Sequence, residues 1–578
     1  EITAQASRSG WEWRLNGRRI FPKGSNYFSD FYLDRVTVDS LRRDVELARQ
    51  AHLDLLRVHA HIAPPEFYDL CDSLGVMVMC DFPLIWTYAY NMPEAEAQAF
   101  RASVLVQAQA MVEGLGSHPS LVLWSMHNEP PWTPDGSFLG GDLHAQATNR
   151  AVDEAAAEQV RQFDPTRTVL AASGEHDQHL YHGWYTGSWA DNRHLRPGFP
   201  SEFGVQALPN LDSPVWANLN TTWPVEAEDA TWAHAGYQNL FWASPGVGLP
   251  THYASLADYV RESQMYQAFF TRYVIDQWRR QKFNPVGGYI HFLFTDGWPA
   301  ITWSVLDYYR QPKLAYTALA EASRPTHVCL DIEDGYVIEH GFHLVYPERG
   351  VVGVKVYVVN DDYQRQGDAR LTWWLEHDLP PGWRGWGRRL GLWWRSGSTR
   401  LPLPTADEPA RLARTLRLPM PAAGEYVLQV ALWQGARQLD RAALPFRVGE
   451  KQVRLPTPRR APRLLVNKVY QAGSLRHTEE GFTFMLYNPA MPVRLERLTA
   501  MQVDGQVIDP AQLEVVHGGL TRQVSTIHPE MPLEVPTHAL LAILVRHHAL
   551  WPGSHTIELT VHLAGLGEVS AQLTDKLL

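Results

Sequence analysis

Cysteine is nearly missing from this chain. Its 578 residues hold three, Cys71, Cys80 and Cys329. An odd and sparse set builds no disulfide framework, and no CxxC pair or HExxH run marks a metal centre. Basic charge is also short. Lys and Arg number 51 against 62 Asp and Glu, a net charge of −11, so no cationic surface dominates that would hold a nucleic acid backbone. No apolar run approaches the roughly 20 residues that a membrane-spanning helix needs. The chain starts at Glu1, and no signal peptide is visible, which leaves soluble cytoplasmic and secreted locations both open.

What is abundant is aromatic surface: 22 Trp and 23 Tyr. Aromatic faces stack on the C–H faces of sugar rings, and large β-rich proteins also spend Trp on cores and edges. The composition alone leaves both uses standing. The length is enough for several domains, each with its own core.

Residues 1 to about 325 alternate between short β-like runs and helical patterns, the order of βαβ units around a parallel sheet. Strands are expected in Ile20–Phe28, Leu53–His59, Val76–Phe82, Leu121–His127, Thr168–Ala172, Leu180–Trp184, Phe199–Glu202 and Gly288–Phe294. Helices are expected in Val38–Gln50, Pro65–Leu74, Glu94–Leu115, Ala145–Phe163 and Ala257–Lys282. The fifth and sixth connections are too short for more. Eight strands with helices between them make a (β/α)8 TIM barrel over residues 1–325. Residues 205–253, rich in Pro, Trp, Asn and Gly, follow the seventh strand as a long loop on the face where such barrels place their sites. After Pro325 the period changes. Val351–Val359, Ala369–Glu376, Glu425–Trp433 and Ala442–Val448 give a β-sandwich over 326–449. Residues 450–462 read as a Pro-rich basic linker, and Phe482–Asn488, Leu541–Arg546 and His555–His562 give a second sandwich over 463–578. The expected fold is therefore multidomain, α/β followed by β, with immunoglobulin-like sandwiches after the barrel.

Two strand ends carry the chemistry. Leu121 to Pro130 is an apolar strand that stops abruptly at His127-Asn128-Glu129-Pro130. A carboxylate there is costly unless paired or solvated; the alternative is a helix cap or a surface residue. Pro200-Ser-Glu-Phe-Gly204 places Glu202 at the end of a short strand, with Gly204 free to turn sharply. Hydrolysis of a glycosidic bond with retention needs two such carboxyls. One protonates the leaving oxygen, and the other attacks the anomeric carbon to form a covalent intermediate.

The barrel resembles glycoside hydrolase family 2. The resemblance rests on Leu15-Asn-Gly-Arg-Arg-Ile-Phe-Pro-Lys-Gly-Ser-Asn-Tyr27, Leu56-Arg-Val-His59, Glu66-Phe-Tyr-Asp-Leu-Cys-Asp-Ser-Leu-Gly75, His118-Pro-Ser-Leu-Val-Leu-Trp124, the two carboxylate motifs and the run from Trp298 to Tyr316. It extends over residues 11–325. It implies Glu129 as general acid/base, Glu202 as nucleophile and Asn128 as the residue that meets the sugar 2-hydroxyl. It implies that Arg57 keeps the nucleophile ionised; a salt bridge in the barrel floor is the other reading of that position. His59, Asp81 and Trp86 at strand ends are expected to bind hydroxyls, and Trp303 to stack on the sugar, a structural Trp being the other reading of that position. One of His182, Trp184 and Tyr185, on the sixth strand, is expected beside the nucleophile. No cofactor or metal is implied.

The sequence departs from the family at Phe292, which stands in His291-Phe-Leu-Phe-Thr-Asp296 where members usually carry Trp. Members also carry a jelly roll and an immunoglobulin-like domain before the barrel, whereas this chain begins almost at the barrel. The expectation is that it is a fragment, or that a partner, a homo-oligomer contact or its own C-terminal domains close the pocket. The Ser-Glu-Phe-Gly motif, Asp81-Phe-Pro and Ile301-Thr-Trp-Ser-Val-Leu-Asp307 are most similar to the β-mannosidase branch. The expected partner is a carbohydrate, with exo-acting β-mannoside hydrolysis as the activity. An endo-acting β-mannanase or glucanase and a non-catalytic carbohydrate-binding protein are the alternatives.

Overall fold

The computed structural model describes residues 2–7, 10–86, 92–134, 143–185, 187–225, 229–237, 246–248, 250, 253–339, 341–377, 393–419, 422–450, 459–460, 469–471, 473–478, 480–488, 493–517, 520–535, 539–548, 550–563 and 567–577. Most of the expected linker, and parts of the loop over 205–253, lie outside the described residues.

An antiparallel sheet precedes the barrel: β1 (Ile2–Ser7), β2 (Gly10–Leu15) and β3 (Arg18–Ile20). Trp11 and Trp13 stack at 5.8 Å and meet Phe199 at 5.3 and 5.4 Å. With Leu55, Met79, Leu123, Leu170 and Ile290 they form an apolar cluster of their own. The expected strand Ile20–Phe28 is thus two elements. It breaks at Phe21-Pro22, because Pro22 has no N–H to continue a ladder.

The barrel strands are β4 (Lys23–Tyr27), β5 (Leu55–Val58), β6 (Met77–Ile85), β7 (Leu121–Asn128), β8 (Thr168–Leu170), β9 (Gln178–His179), β10 (Pro200–Glu202) and β11 (Tyr289–His291). Six of them run parallel in the order β11-β4-β5-β6-β7-β8, and β10 pairs with β9. Phe292 N–H donates to Phe203 O at 2.9 Å beyond β10 and β11. All eight residues of β7 are buried, as expected for a parallel strand covered on both faces. The helices around it are α1 (Val38–Gln50), α2 (Pro65–Leu74), α3 (Glu94–Leu115), α4 (Leu143–Phe163), α5 (Ala230–His234), α6 (Leu256–Arg279) and α7 (Leu314–Ala322). Thr37 caps α1 through a reciprocal bond pair with Ser40, and Gly75 ends α2 at φ 71°.

One expected strand is corrected. Leu180–Trp184 is not an element. The sixth strand is β9, and the chain then turns, with the amides of Trp184 and Tyr185 both donating to Tyr181 O at 3.0 Å.

Beyond the barrel, Thr326–Ile332, Val351–Asn360 and Arg411–Pro419 make a three-stranded sheet. A six-stranded sheet faces it, running from Val337–Glu339 to Trp393–Pro402. Their core is continuous with the barrel's. Buried charges also cross between the two. Asp361 takes Arg279 at 2.5 Å and Lys282 at 2.8 Å, and Asp440 takes Arg324 at 2.9 Å. Two further sheets, between Arg459 and Leu577, enclose a separate core. The strands expected there and in the first sandwich are present, and the structure adds others, among them His343–Tyr346, Val493–Val503 and Gly567–Leu577. No helix among the described residues is long and apolar enough to cross a membrane.

Candidate active site

The C-terminal ends of the barrel strands converge on Glu129 and Glu202. Each sits where its strand stops, 9% and 3% exposed. Three residues just past strand ends on this face take left-handed backbone without being glycine: Ala60 at φ 50°, Trp86 at 59° and Glu129 at 51°. Such positions cost an estimated ~1–3 kcal/mol each and persist where surrounding bonds fix them. Gly204 is required for a different reason. A Cβ there would lie 1.9 Å from Phe292 O, so the turn after Glu202 admits no side chain.

Glu202 is surrounded by donors. Arg57 Nη1 reaches Oε1 at 2.9 Å, His59 Nε2 stands 3.2 Å from the same oxygen, and the Tyr181 hydroxyl donates to Oε2 at 2.8 Å. Burial alone would raise this carboxyl. The charge of His179, the bond and charge of His59 and the Arg57 guanidinium outweigh it and hold Glu202 well below the usual carboxylate range. Burial, then the negative charges of Glu202 and Glu129, push Tyr181 up, so its hydroxyl stays a donor.

Glu129 is held by fewer groups. His179 Nδ1 lies 2.7 Å from Oε1, and the Trp86 indole N–H donates to Oε2 at 3.2 Å. His179 Nε2 stands 3.0 Å from Ser173 Oγ and 3.5 Å from Glu202 Oε1, which places the imidazole between the two carboxyls. One oxygen of each carboxyl and a nitrogen of His179 lie within 4.8 Å of one another.

Arg57 ties the floor together. Its side chain is fully buried, and it gives Nη2 to Asp81 Oδ2 at 2.8 Å and to Asn128 Oδ1 at 2.8 Å. The Asn128 oxygen being engaged there, its NH2 faces the other way. Asp81 is wholly buried and is spent on Arg57 and on the amide of Ala60 at 3.1 Å. It therefore supports Arg57, and the expectation that it meets hydroxyls finds no free face here.

The aromatics lie partly as expected. Phe292 is central. Its ring is 5.3 Å from His59, 6.4 Å from Tyr181 and 5.6 Å from Trp303. Trp184 and Tyr185 pack against Trp303 at 6.2 and 6.1 Å, behind Tyr181. The carbonyl of His182 accepts from Asn192, and burial lowers its ring. None of these three carries a described bond to either carboxyl; in this segment the residue that bonds Glu202 is Tyr181. Tyr181 and His179 are the two that sequence reasoning passed over. The signal was present in Gln178-His-Leu-Tyr181. Alternation in a strand starting two residues earlier puts His179 and Tyr181 on one face.

The trio of Glu129, His179 and Glu202 has the spacing of a cation site. Its oxygens already face the guanidinium, imidazoles, hydroxyl and indole named above, so a metal would have to displace a cation and several donors. Asp69, Asp72 and His118 form another such group, in which Asp72 instead accepts from the Ser120 amide at 2.8 Å and faces His118 at 2.7 Å.

Residues 12–195 match the family model described as glycosyl hydrolases family 2, TIM barrel domain. Residues 465–578 match one described as hydroxymethylglutaryl-CoA reductase, N-terminal domain; that likeness lies outside the barrel. Among curated relatives, beta-mannosidase B of Aspergillus clavatus is 25% identical over 367 residues, which are 57% of this chain and 42% of that protein. An exo-beta-D-glucosaminidase of Amycolatopsis orientalis is 25% identical over 354 residues, 56% of this chain and 33% of that protein. The matched stretch thus spans less than half the length of either relative. In fold it is similar to the crystal structure of a beta-D-mannosidase from Dictyoglomus thermophilum, with a TM-score of 0.60 and 18% identity over 95% of this chain and 63% of that one. The exo-chitosanase of Amycolatopsis orientalis gives a TM-score of 0.55 at 17% identity, over 100% of this chain and 66% of that one. With the carboxylate motifs at the ends of β7 and β10, these likenesses make the barrel similar to the TIM barrel domain of glycoside hydrolase family 2, with relatives named beta-mannosidase and exo-beta-D-glucosaminidase.

Proposed function

We propose that this chain is a retaining β-glycosidase that removes terminal β-linked sugars, with β-mannosides as its substrates. The observation that carries the proposal is the pairing of Glu129 and Glu202, with an oxygen of each within 4.8 Å across His179. Carboxyls about 5–5.5 Å apart suit double displacement, whereas inversion needs roughly 6.5–9.5 Å to admit a water. The mannoside assignment leans on relatives named beta-mannosidase and on the strand-end motifs.

Protonated Glu129 gives its proton to the leaving oxygen while Glu202 attacks the anomeric carbon. The C–O bond to the leaving group breaks as the ester to Glu202 forms. Glu129, now ionised, takes a proton from water, and that water's oxygen displaces Glu202. The donors around Glu202 keep it ionised for attack. Asn128, oriented by Arg57, offers its NH2 to the sugar 2-hydroxyl, a contact that tightens in the transition state. The faces of Phe292 and Trp303 provide apolar wall.

The test is the anomer released first from p-nitrophenyl β-mannoside, followed by NMR. The β-anomer is expected. The α-anomer would rule out double displacement, and hydrolysis surviving in Glu202→Gln would remove that residue as nucleophile. Because relatives named exo-β-D-glucosaminidase are equally similar, the β-glucosaminide belongs in the same assay. A higher kcat/KM on it would overturn the mannoside assignment, and cleavage of polymeric mannan in preference to the aryl glycoside would overturn exo action.

A further inference from the structure

Behind Glu129 lies a buried chain of bonds that the reaction above does not use. Asn128, at the end of β7, faces inward to Arg57, and alternation turns its neighbour His127 outward toward α4. His127 is fully buried. Its Nδ1 stands 2.9 Å from both oxygens of Asp153 on α4, itself fully buried. The Trp132 indole N–H also donates to Asp153, at 2.7 Å. On the other side, His127 Nε2 stands 2.7 Å from the carbonyl oxygen of Trp86. A carbonyl can only accept, so the ring donates to it from Nε2.

Trp86 needs that grip. It is the first residue past β6, it stands at φ 59°, and its ring is half exposed. Its amide donates to Asn128 O at 3.0 Å, and its carbonyl is the atom His127 holds. From this pinned turn the indole N–H reaches Glu129 Oε2. The opposite oxygen of that carboxyl belongs to His179. Glu129 is thus held on one oxygen from the nucleophile's side and on the other from Trp86.

We propose that His127 is a positioning residue for the acid/base step: braced by Asp153 and Trp132, it fixes the Trp86 turn and so sets the carboxyl of Glu129 against the leaving group. The proposal rests on the reading of Glu129 as the acid/base. It distinguishes His127 from a mere brace between β7 and α4, because a brace would affect all substrates alike.

The experiment compares leaving groups. A 2,4-dinitrophenyl β-mannoside departs without a proton, whereas a phenyl β-mannoside requires one. A positioned acid contributes roughly 10²–10⁴-fold, and losing part of that alignment in His127→Phe is expected to cut kcat/KM on the phenyl substrate about ten- to a hundredfold. On the dinitrophenyl substrate the change stays within about threefold, since no acid is needed in that step. Trp86→Phe, at a half-exposed position, shows the same asymmetry even where His127→Phe fails to fold. His127→Gln, which keeps a donor for the Trp86 carbonyl, recovers part of the phenyl activity. Equal losses on both substrates, or Trp86→Phe at wild-type rates on both, would overturn the proposal. Glu129→Ala is the control. If it lacks the leaving-group asymmetry, the acid/base reading itself fails, and the result is distinct from failure of the relay alone.

Discussion

Replacing Arg57 with lysine separates what its charge does from what its shape does. The guanidinium reaches three partners at once: Asp81 through Nε and Nη2, Glu202 through Nη1, and Asn128 through Nη2. A lysine ammonium is a single point charge. It can stay near the carboxylates, but it cannot also keep the Asn128 oxygen, and at a site with no exposure water does not readily replace the lost donor. A hydrogen bond from a charged donor is worth about 1.5–3 kcal/mol. At about 1.4 kcal/mol per tenfold in rate, that is roughly a ten- to hundredfold fall in kcat/KM. If the bond acts by orienting Asn128 toward the 2-hydroxyl, a p-nitrophenyl 2-deoxy-glycoside, which lacks that group, loses much less. The assay is kcat/KM on the two substrates for wild type and Arg57→Lys, with urea unfolding of both. Arg57→Met is the companion variant. It strands two buried carboxylates and is expected to cost about 3–5 kcal/mol of stability. Equal losses on the 2-hydroxy and 2-deoxy substrates, or an active Arg57→Lys enzyme without loss, would refute the link from Arg57 through Asn128 to the sugar.

Two other substitutions test separate parts of the structure. Tyr181→Phe removes one of the donors on Glu202 without opening a cavity, and about tenfold lower kcat/KM is expected from a charged bond of ~1.5 kcal/mol; wild-type rates would show the hydroxyl idle. Asp361→Asn takes the shared carboxylate away from Arg279 and Lys282, and urea unfolding at pH 7 should show a loss of about 3 kcal/mol. That figure lies at the low end because Lys282 keeps the carbonyls of Asn360 and Ala406 at 2.7 and 2.8 Å. Burial works against ionisation of Asp361, but Lys282, Arg279 and Lys23 hold it below the usual range. Its stabilisation is therefore complete above about pH 4, the ordinary aspartate value, and drains away as the pH falls toward the depressed folded value. The gap between wild type and Asp361→Asn should close over that acid range; a gap independent of pH would show that charge is not the cause.

The sequence was most legible where local and global signals agreed. The strand ending at Asn128 is closed by Pro130 and stands fourth in a regular series, so its position and the buried carboxyl just past its end could be read directly. The same holds for α1, whose capping residue and apolar spacing coincide. Legibility failed between residues 171 and 204, where the strands shrink to two or three residues and no helix separates β8 from β9. With so short a pattern, period-2 alternation cannot set its own phase, and a strand started at Leu180 offers His182 and Trp184 where the structure uses His179 and Tyr181. Arg57 was ambiguous for a physical reason: a cation under the nucleophile and a salt bridge in the barrel floor are one and the same contact, made with Glu202 on one side and Asp81 on the other. The Asp153–His127–Trp86 connection was beyond reach, since it joins α4, β7 and the end of β6 across long separations and none of its residues forms a local motif.

The surroundings of the two carboxyls give the roles a basis apart from family likeness. Two carboxyls so close in one pocket do different work only if their environments differ. Glu202 accepts from Arg57 and Tyr181, faces His59, and feels the charge of His179. Every one of these favours the ionised form, so Glu202 is poorly suited to deliver a proton and well suited to attack. In the proposed reaction the leaving oxygen still needs that proton, and Glu129 is the other carboxyl in the trio with His179 and Glu202. It is also the more exposed of the pair and is held by an indole N–H and one imidazole. An acid that must later act as base has to exchange protons with the leaving group and then with water, which favours a carboxyl held in place by few bonds over one saturated with donors. The asymmetry in partners therefore matches the asymmetry the chemistry requires. It predicts that adding a donor to Glu129 would impair the enzyme as surely as taking one from Glu202.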